Sequence, residues 1–213
     1  MVVSHSYKTP LVHFVHDGGA EREVQIIMAA MPPSVLLSTD MHEAERYLCQ
    51  SSEVMAKLVA THGTCRLADS NFPPFQTLVT SIISQQLSTK AANAIGKRVL
   101  ELVPMCTPHG FLAVSHQAMR QAGLSMAKTT YIIELATRVN DGRLNLDALR
   151  GQPDDDVIVN LTQLPGIGRW TSEMFLMSAL NRPDILATGD AGLQRAARLL
   201  YGDSVDLDSV GQR

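Results

Sequence analysis

From Asp40 onward, apolar residues recur at helical spacing almost without interruption, and strand-like alternation is nearly absent. Asp40 and Glu43 have capping-box spacing, which predicts a helix running toward Leu48. A second helix is expected over 52–62, ended by Gly63. In PPFQTLVTSIISQQ, the residues Phe75, Leu78, Val79, Ile82 and Ile83 fall at i, i+3, i+4, i+7 and i+8, one buried helical face. Ser88 caps the next helix, which carries Ala91, Ala92, Ile95 and Val99. A short helix follows Ser115 and stops at Gly123, and Tyr131, Ile132, Leu135 and Val139 form the inner face of another that ends at Asp141-Gly142. Pro153 sits in the first turn of a helix through VIVNLTQ. LPGIGRW then makes a tight glycine turn into a helix over 170–180, Asn181 and Pro183 break it, ILATG is extended, and 193–201 is helical again. The predicted fold is all-α, with about eight to ten short helices.

Residues 1–39 differ from the rest. They carry His5, His13 and His16, an Asp17-Gly18-Gly19 turn signal and Pro32-Pro33, without sustained periodicity. This stretch is read as an N-terminal extension, and 40–213 as the folded domain. No further ligand stands at a defined spacing from His13 and His16, so they are read as ordinary tail histidines, and no metal or cofactor is expected.

Composition narrows the partners. A chain of 213 residues with 45% hydrophobic content buries a sizeable core, but its formal charge of −3 excludes coating nucleic acid by bulk positive charge. Any nucleic-acid contact must be local. The cysteines, Cys49, Cys65 and Cys106, are odd in number and widely spaced, which argues against a disulfide framework and for a reducing compartment. They are also too few for a four-cysteine zinc or iron-sulfur site. No apolar run has the length of a membrane span, and the N-terminus lacks a targeting pattern. The expectation is an intracellular monomer, cytoplasmic in a bacterium or nuclear in a eukaryote, with no membrane partner.

The most specific local signal is LPGIG between two helices. Gly166 and Gly168 permit a sharp turn that exposes N–H groups of 166–168 beside a helix N-terminus, where partial positive charge favours phosphate. A plain helix-to-helix turn explains PxGxG equally well. Asp190, in TGDAGL, reads locally as an N-cap. Asp154, Asp155 and Asp156 follow Pro153 at a helix start and complement its dipole, which makes them structural and not a metal cluster.

Three ordered segments, FPPFQTLVTSIISQQLSTKAA, GLSMAKTTYIIELA and LPGIGRWTSEMFLMSALNRPDILATGDAGLQRAARLLYG, change the balance. Together they resemble the helix-hairpin-helix DNA glycosylase superfamily, and within it the 3-methyladenine DNA glycosylase II group, over about residues 43–202. The resemblance implies an enzyme of base excision repair that flips an alkylated purine out of duplex DNA and hydrolyses its N-glycosidic bond. It makes Asp190 the catalytic carboxylate, which stabilises an oxocarbenium-like state and orients water. It places Trp170, Gln85 and Met174 at the base pocket and Gln86 as the wedge that fills the vacated stack. It puts Gly166, Ile167, Gly168, Arg169 and Lys90 on phosphate. Residues 71–100 contain Lys90, Lys97 and Arg98 and no acid, a local charge of +3 in a chain of −3. A solvated basic helix face is the alternative for each of these. Bifunctional members of the superfamily carry a Schiff-base lysine after GxGR, where this chain has Trp170, so the resemblance implies a monofunctional enzyme. The expected partner is double-stranded DNA with alkylated or abasic sites.

One departure from the family pattern stands out. After the catalytic aspartate its members continue through two more helices, the last with an aromatic and Arg-Ser pattern, and no such pattern follows Tyr201. The expected domain is therefore short at its C-terminus: a fragment, a shortened chain, or a member that closes its core with residues 1–39. Two other functions stay open beside the enzyme: a non-catalytic binder of damaged or abasic DNA, and a hairpin module for protein or nonspecific DNA contact. Asp190 favours the enzyme and the missing helix favours the binder, while the module alone does not explain the ordered QQLSTKAA and TGDAGL segments.

Overall fold

The computed structural model describes residues 35–65 and 72–207, with side chains of the first helix from His42 onward. They form ten α-helices: α1 Val35–Ser51, α2 Glu53–His62, α3 Pro74–Ser84, α4 Thr89–Leu102, α5 Pro108–Ala113, α6 His116–Gln121, α7 Met126–Asn140, α8 Asp154–Thr162, α9 Arg169–Ala179 and α10 Ala191–Tyr201. A 3₁₀ turn at Ala148–Gly151 precedes α8, and no strand occurs among the described residues. The extension lies largely outside them.

Helix starts follow local capping. Side-chain oxygens of Ser52, Ser88, Thr107, Ser115 and Ser125 accept from the N–H three residues on, which satisfies donors that have no acceptor within the helix. The Asp40–Glu43 box is a correction: α1 begins at Val35 and runs through Asp40, so Asp40 is not a cap. A cap contributes only about 1 kcal/mol, and helix-forming Leu36 and Leu37 carry the pattern upstream. Pro153 occupies the N-cap of α8, one position earlier than expected, and α5 has too little periodicity in six residues to be read beforehand.

Helix α3 is the central element, packing on α4, α7 and α9, while α5 and α6 lie on α7, and α8 on α9. Its face is the predicted one: Phe75, Leu78, Val79, Ile82 and Ile83 are buried. They meet Ile132 and Leu135 of α7, Leu161 of α8 and Phe175 and Leu176 of α9 in one hydrophobic core. Helices α1 and α2 pair with each other. No helix among the described residues is long and apolar enough to cross a membrane.

Cys106 sits in this core at φ 45°, and burial pushes its thiol up to about 12. Because the unfolded thiol ionises near its ordinary value of about 9, this group's contribution to stability is whole below that pH and is lost as pH rises from there toward 12. Iodoacetamide at mildly alkaline pH is expected to label exposed Cys65 in the native protein and to reach Cys106 only after denaturant is added. Mass mapping that finds native Cys106 alkylated as fast as Cys65 contradicts this placement.

Candidate active site

Three turns converge at the ends of α3, α8 and α9. The first is the hairpin. Gly166 has φ 83°, a conformation L side chains rarely adopt, and a Cβ there would come within 2.1 Å of Tyr131 Cδ2. Only glycine lets the turn lie on that ring. Gly168 differs: its φ of −100° suits any residue and nothing approaches its Cβ position within 4 Å, so neither turn geometry nor internal packing calls for glycine there. Ile167 points inward at 5% exposure, and its N–H donates to Leu164 O at 3.1 Å, so this amide is already engaged in the turn. Helix α9 starts at Gly168 without a side-chain cap, which leaves its first-turn dipole open to an outside acceptor.

Arg169, the first residue of α9, is exposed, but its Nε donates to Glu173 Oε1 at 2.9 Å. Glu173 is buried. The pair orients the guanidinium and offsets part of its charge, so Arg169 is a weaker anion site than a free arginine. Sequence reading did not single out Glu173, whose i, i+4 spacing from Arg169 was the available signal.

One turn into the site, the expected pocket and catalytic residues meet. Trp170 Nε1 donates to Asp190 Oδ2 at 2.7 Å, while Asp190 Oδ1 accepts from Leu193 N at 2.7 Å. Asp190 is therefore the cap of α10 and the partner of the indole at once, with one oxygen for each. The carboxylate is half-buried and Trp170 is 36% exposed. Met174, one turn along α9, is half-buried. A cavity of about 160 Å³ behind this loop is lined by Thr188, Gln194, Arg198, Val205, Asp206 and Leu207, and by neither Trp170 nor Asp190.

The third turn, 85–88, links α3 to α4. Gln86 is exposed at φ 56°. Gln85 is turned to the hairpin: its Nε2 donates to Gly166 O at 2.7 Å, which commits the amide that the resemblance aims at the flipped nucleotide. Lys128 of α7 donates through Nζ to Ile83 O at 2.8 Å and Gln85 O at 2.7 Å, and burial lowers the pKa of this ammonium. Lys128 was not anticipated; a lysine in the first turn of a helix, where the dipole opposes it, was the only hint. Of the basic residues, Lys90 and Lys97 are exposed on α4. Arg98 donates through Nε to Ala122 O at 2.7 Å, so that guanidinium holds the end of α6. Asp154 pairs with Arg182 at 3.3 Å, a structural role like the one read from sequence.

An all-helical fold with a glycine hairpin leading into an uncapped helix, and a carboxylate tied to an indole just beyond it, defines a helix-hairpin-helix protein with a single-carboxylate site. The chain belongs to the HhH-GPD superfamily of base excision DNA repair proteins, whose profile matches residues 79–208. It is 31% identical over 169 residues to DNA-3-methyladenine glycosylase 1 of Schizosaccharomyces pombe, covering 76% of this chain and 74% of the relative. The crystal structure of a DNA-3-methyladenine glycosidase from Bacillus halodurans superposes with a TM-score of 0.69 at 42% identity, over 81% of this chain and 80% of that one. The S. pombe 3-methyladenine DNA glycosylase in complex with abasic DNA superposes with a TM-score of 0.65 at 28% identity, over 80% of this chain and 87% of that one.

The two hairpin glycines separate folding from binding. Gly166→Ala is expected to lower unfolding free energy by about 2–4 kcal/mol through backbone strain and overlap with Tyr131. Gly168→Ala is expected to stay within about 0.5 kcal/mol of wild type and, if the open start of α9 meets phosphate, to weaken binding to all duplex DNA alike. Urea titrations and salt-dependent DNA binding measure the two effects. Equal stability of the Gly166 variant, or unchanged DNA binding by the Gly168 variant, contradicts the corresponding half.

Proposed function

We propose that this protein is a monofunctional DNA glycosylase that releases alkylated purines from duplex DNA by hydrolysis of the N-glycosidic bond. The observation that carries the reading is the hydrogen bond between Trp170 and Asp190, which sets a carboxylate beside a partly exposed indole at the start of the hairpin's second helix. The names of the related yeast and bacterial proteins support the same class of substrate.

The chemistry suits so sparse a site. A purine alkylated at N3 or N7 carries positive charge, so it leaves with little acid assistance, and the demand falls on stabilising the sugar cation that remains. Asp190 supplies negative charge and an acceptor for the attacking water. Trp170 serves two ends of one ring: its N–H fixes the carboxylate, and its face attracts the cationic base by about 0.5–2 kcal/mol. Gln86 fills the stack that the base leaves. The first turn of α9, with Gly168 and Arg169, holds a phosphate, and Lys90 adds positive charge on the α4 side. No lysine follows the hairpin, so the sugar is not captured as an imine and the product strand stays intact.

Asp190→Asn is expected to reduce base release from methylated duplex DNA by at least about 10²–10³-fold. Asparagine still caps α10, so folding is expected to change by less than about 1 kcal/mol. Affinity for abasic DNA should persist. Near-wild-type turnover by the purified variant rejects Asp190 as the catalytic group, and a wild type that binds abasic DNA yet releases no base points to a non-catalytic binder. Product chemistry gives a further check. Lesion-bearing duplex incubated with enzyme and borohydride should yield no covalent adduct and an abasic strand that breaks only on alkali or heat. An adduct lost on replacing Lys90, Lys97 or Lys128 would mean that the enzyme is a lyase.

A further inference from the structure

Helix α7 touches both of the turns that face DNA in this reading. Lys128, in its first turn, bonds two of the last three carbonyls before Gln86, those of Ile83 and Gln85. Three residues later, Tyr131 lies under Gly166. Residues at i and i+3 share a helix face, so one face of α7 supports the 85–88 turn and the hairpin together. Gln85 Nε2 then joins the two turns directly through Gly166 O at 2.7 Å.

Two terms oppose the place Lys128 occupies. The helix dipole disfavours a cation in the first turn, and burial disfavours its charge. Its hydrogen bonds to two carbonyls must offset both. What those bonds hold is an unusual backbone: Gln86 is at φ 56°, in a region that is unfavourable for an L residue and persists only where its surroundings enforce it. An exposed side chain on such a residue is aimed by its backbone.

We infer that Lys128 is a positioning residue for strand entry, holding the Gln86 turn in register with the hairpin so that Gln86 enters the base stack while α9 holds phosphate. The inference rests on the proposed role of Gln86 as wedge. Without the ammonium, the end of α3 relaxes and Gln86 loses its aim. The Asp190–Trp170 pair and the start of α9 are held by other bonds. Lys128 therefore governs recognition of an interrupted stack and leaves nonspecific binding largely alone.

The test compares a duplex carrying a tetrahydrofuran abasic analogue opposite 2-aminopurine with an undamaged duplex of the same sequence, using the full chain. Wild type should prefer the abasic duplex and change the 2-aminopurine fluorescence as the wedge enters. Lys128→Met should lose about tenfold of that preference and most of the fluorescence change. Binding to undamaged duplex should stay within about twofold. Lys128→Arg, which still presents two donors, should recover most of both. Gln86→Ala should reproduce the loss, and the double variant should lose no more than either single one, because both act on one event. The Lys128→Arg variant, measured with and without Gln86→Ala, covers the case in which methionine at this position impairs folding. Additive losses, or equal losses on both duplexes, overturn the inference. A wild type without preference for the abasic duplex overturns instead the glycosylase reading beneath it.

Discussion

The site depends on one close approach: the backbone of Gly166 resting on the ring of Tyr131, where no side chain fits and the backbone runs left-handed. From that contact the rest follows in order. The turn at Gly166 sets the direction in which α9 leaves, α9 carries Trp170 at its second position, and Trp170 meets the carboxylate of Asp190. The Gly166 carbonyl also accepts from Gln85, so the same turn locates the end of α3. A hairpin displaced by an added Cβ would move the indole, the open helix end and the 85–88 turn together.

Asp190 shows how one residue meets a structural and a chemical demand without conflict. An N-cap aspartate uses a single oxygen, and Leu193 N takes that one. The other is left for the indole N–H, so each carboxylate oxygen has a donor of its own. Capping also ties the carboxylate to the start of α10, so its position depends on a helix end and not on a free loop side chain.

The electrostatic pattern is equally economical. With a net charge of −3, the chain has no bulk positive charge to offer a polyanion, and the uncapped start of α9 and the exposed Lys90 and Lys97 are local features of the opposite sign. Several other cations have partners within the protein. Arg98 and Lys128 bond carbonyls, Arg169 bonds buried Glu173, and Arg182 pairs with Asp154. These four side chains hold turns and helix ends in place.

Sequence alone determined most of the helices and their inner faces, because burial of an amphipathic helix imposes a period that survives in the order of residues: the α3 face, the Ser88 and Ser115 caps and the hairpin were all legible. It erred where a local signal competes with its surroundings, as at Asp40, and it missed α5, too short to show a period. The candidate site residues were named through the three family motifs, but the bonds they make were not legible. That Trp170 grips Asp190, that Gln85 bonds the hairpin, that Arg98 and Lys128 serve helix ends, and that Gly166 needs to be glycine while Gly168 does not, are facts of tertiary contact. Each joins residues between 20 and 81 positions apart, or depends on a ring lying under a turn. Hydrophobic periodicity records which way a residue faces, whereas a hydrogen bond between distant segments depends on angstrom-scale distances that only the packed helices set.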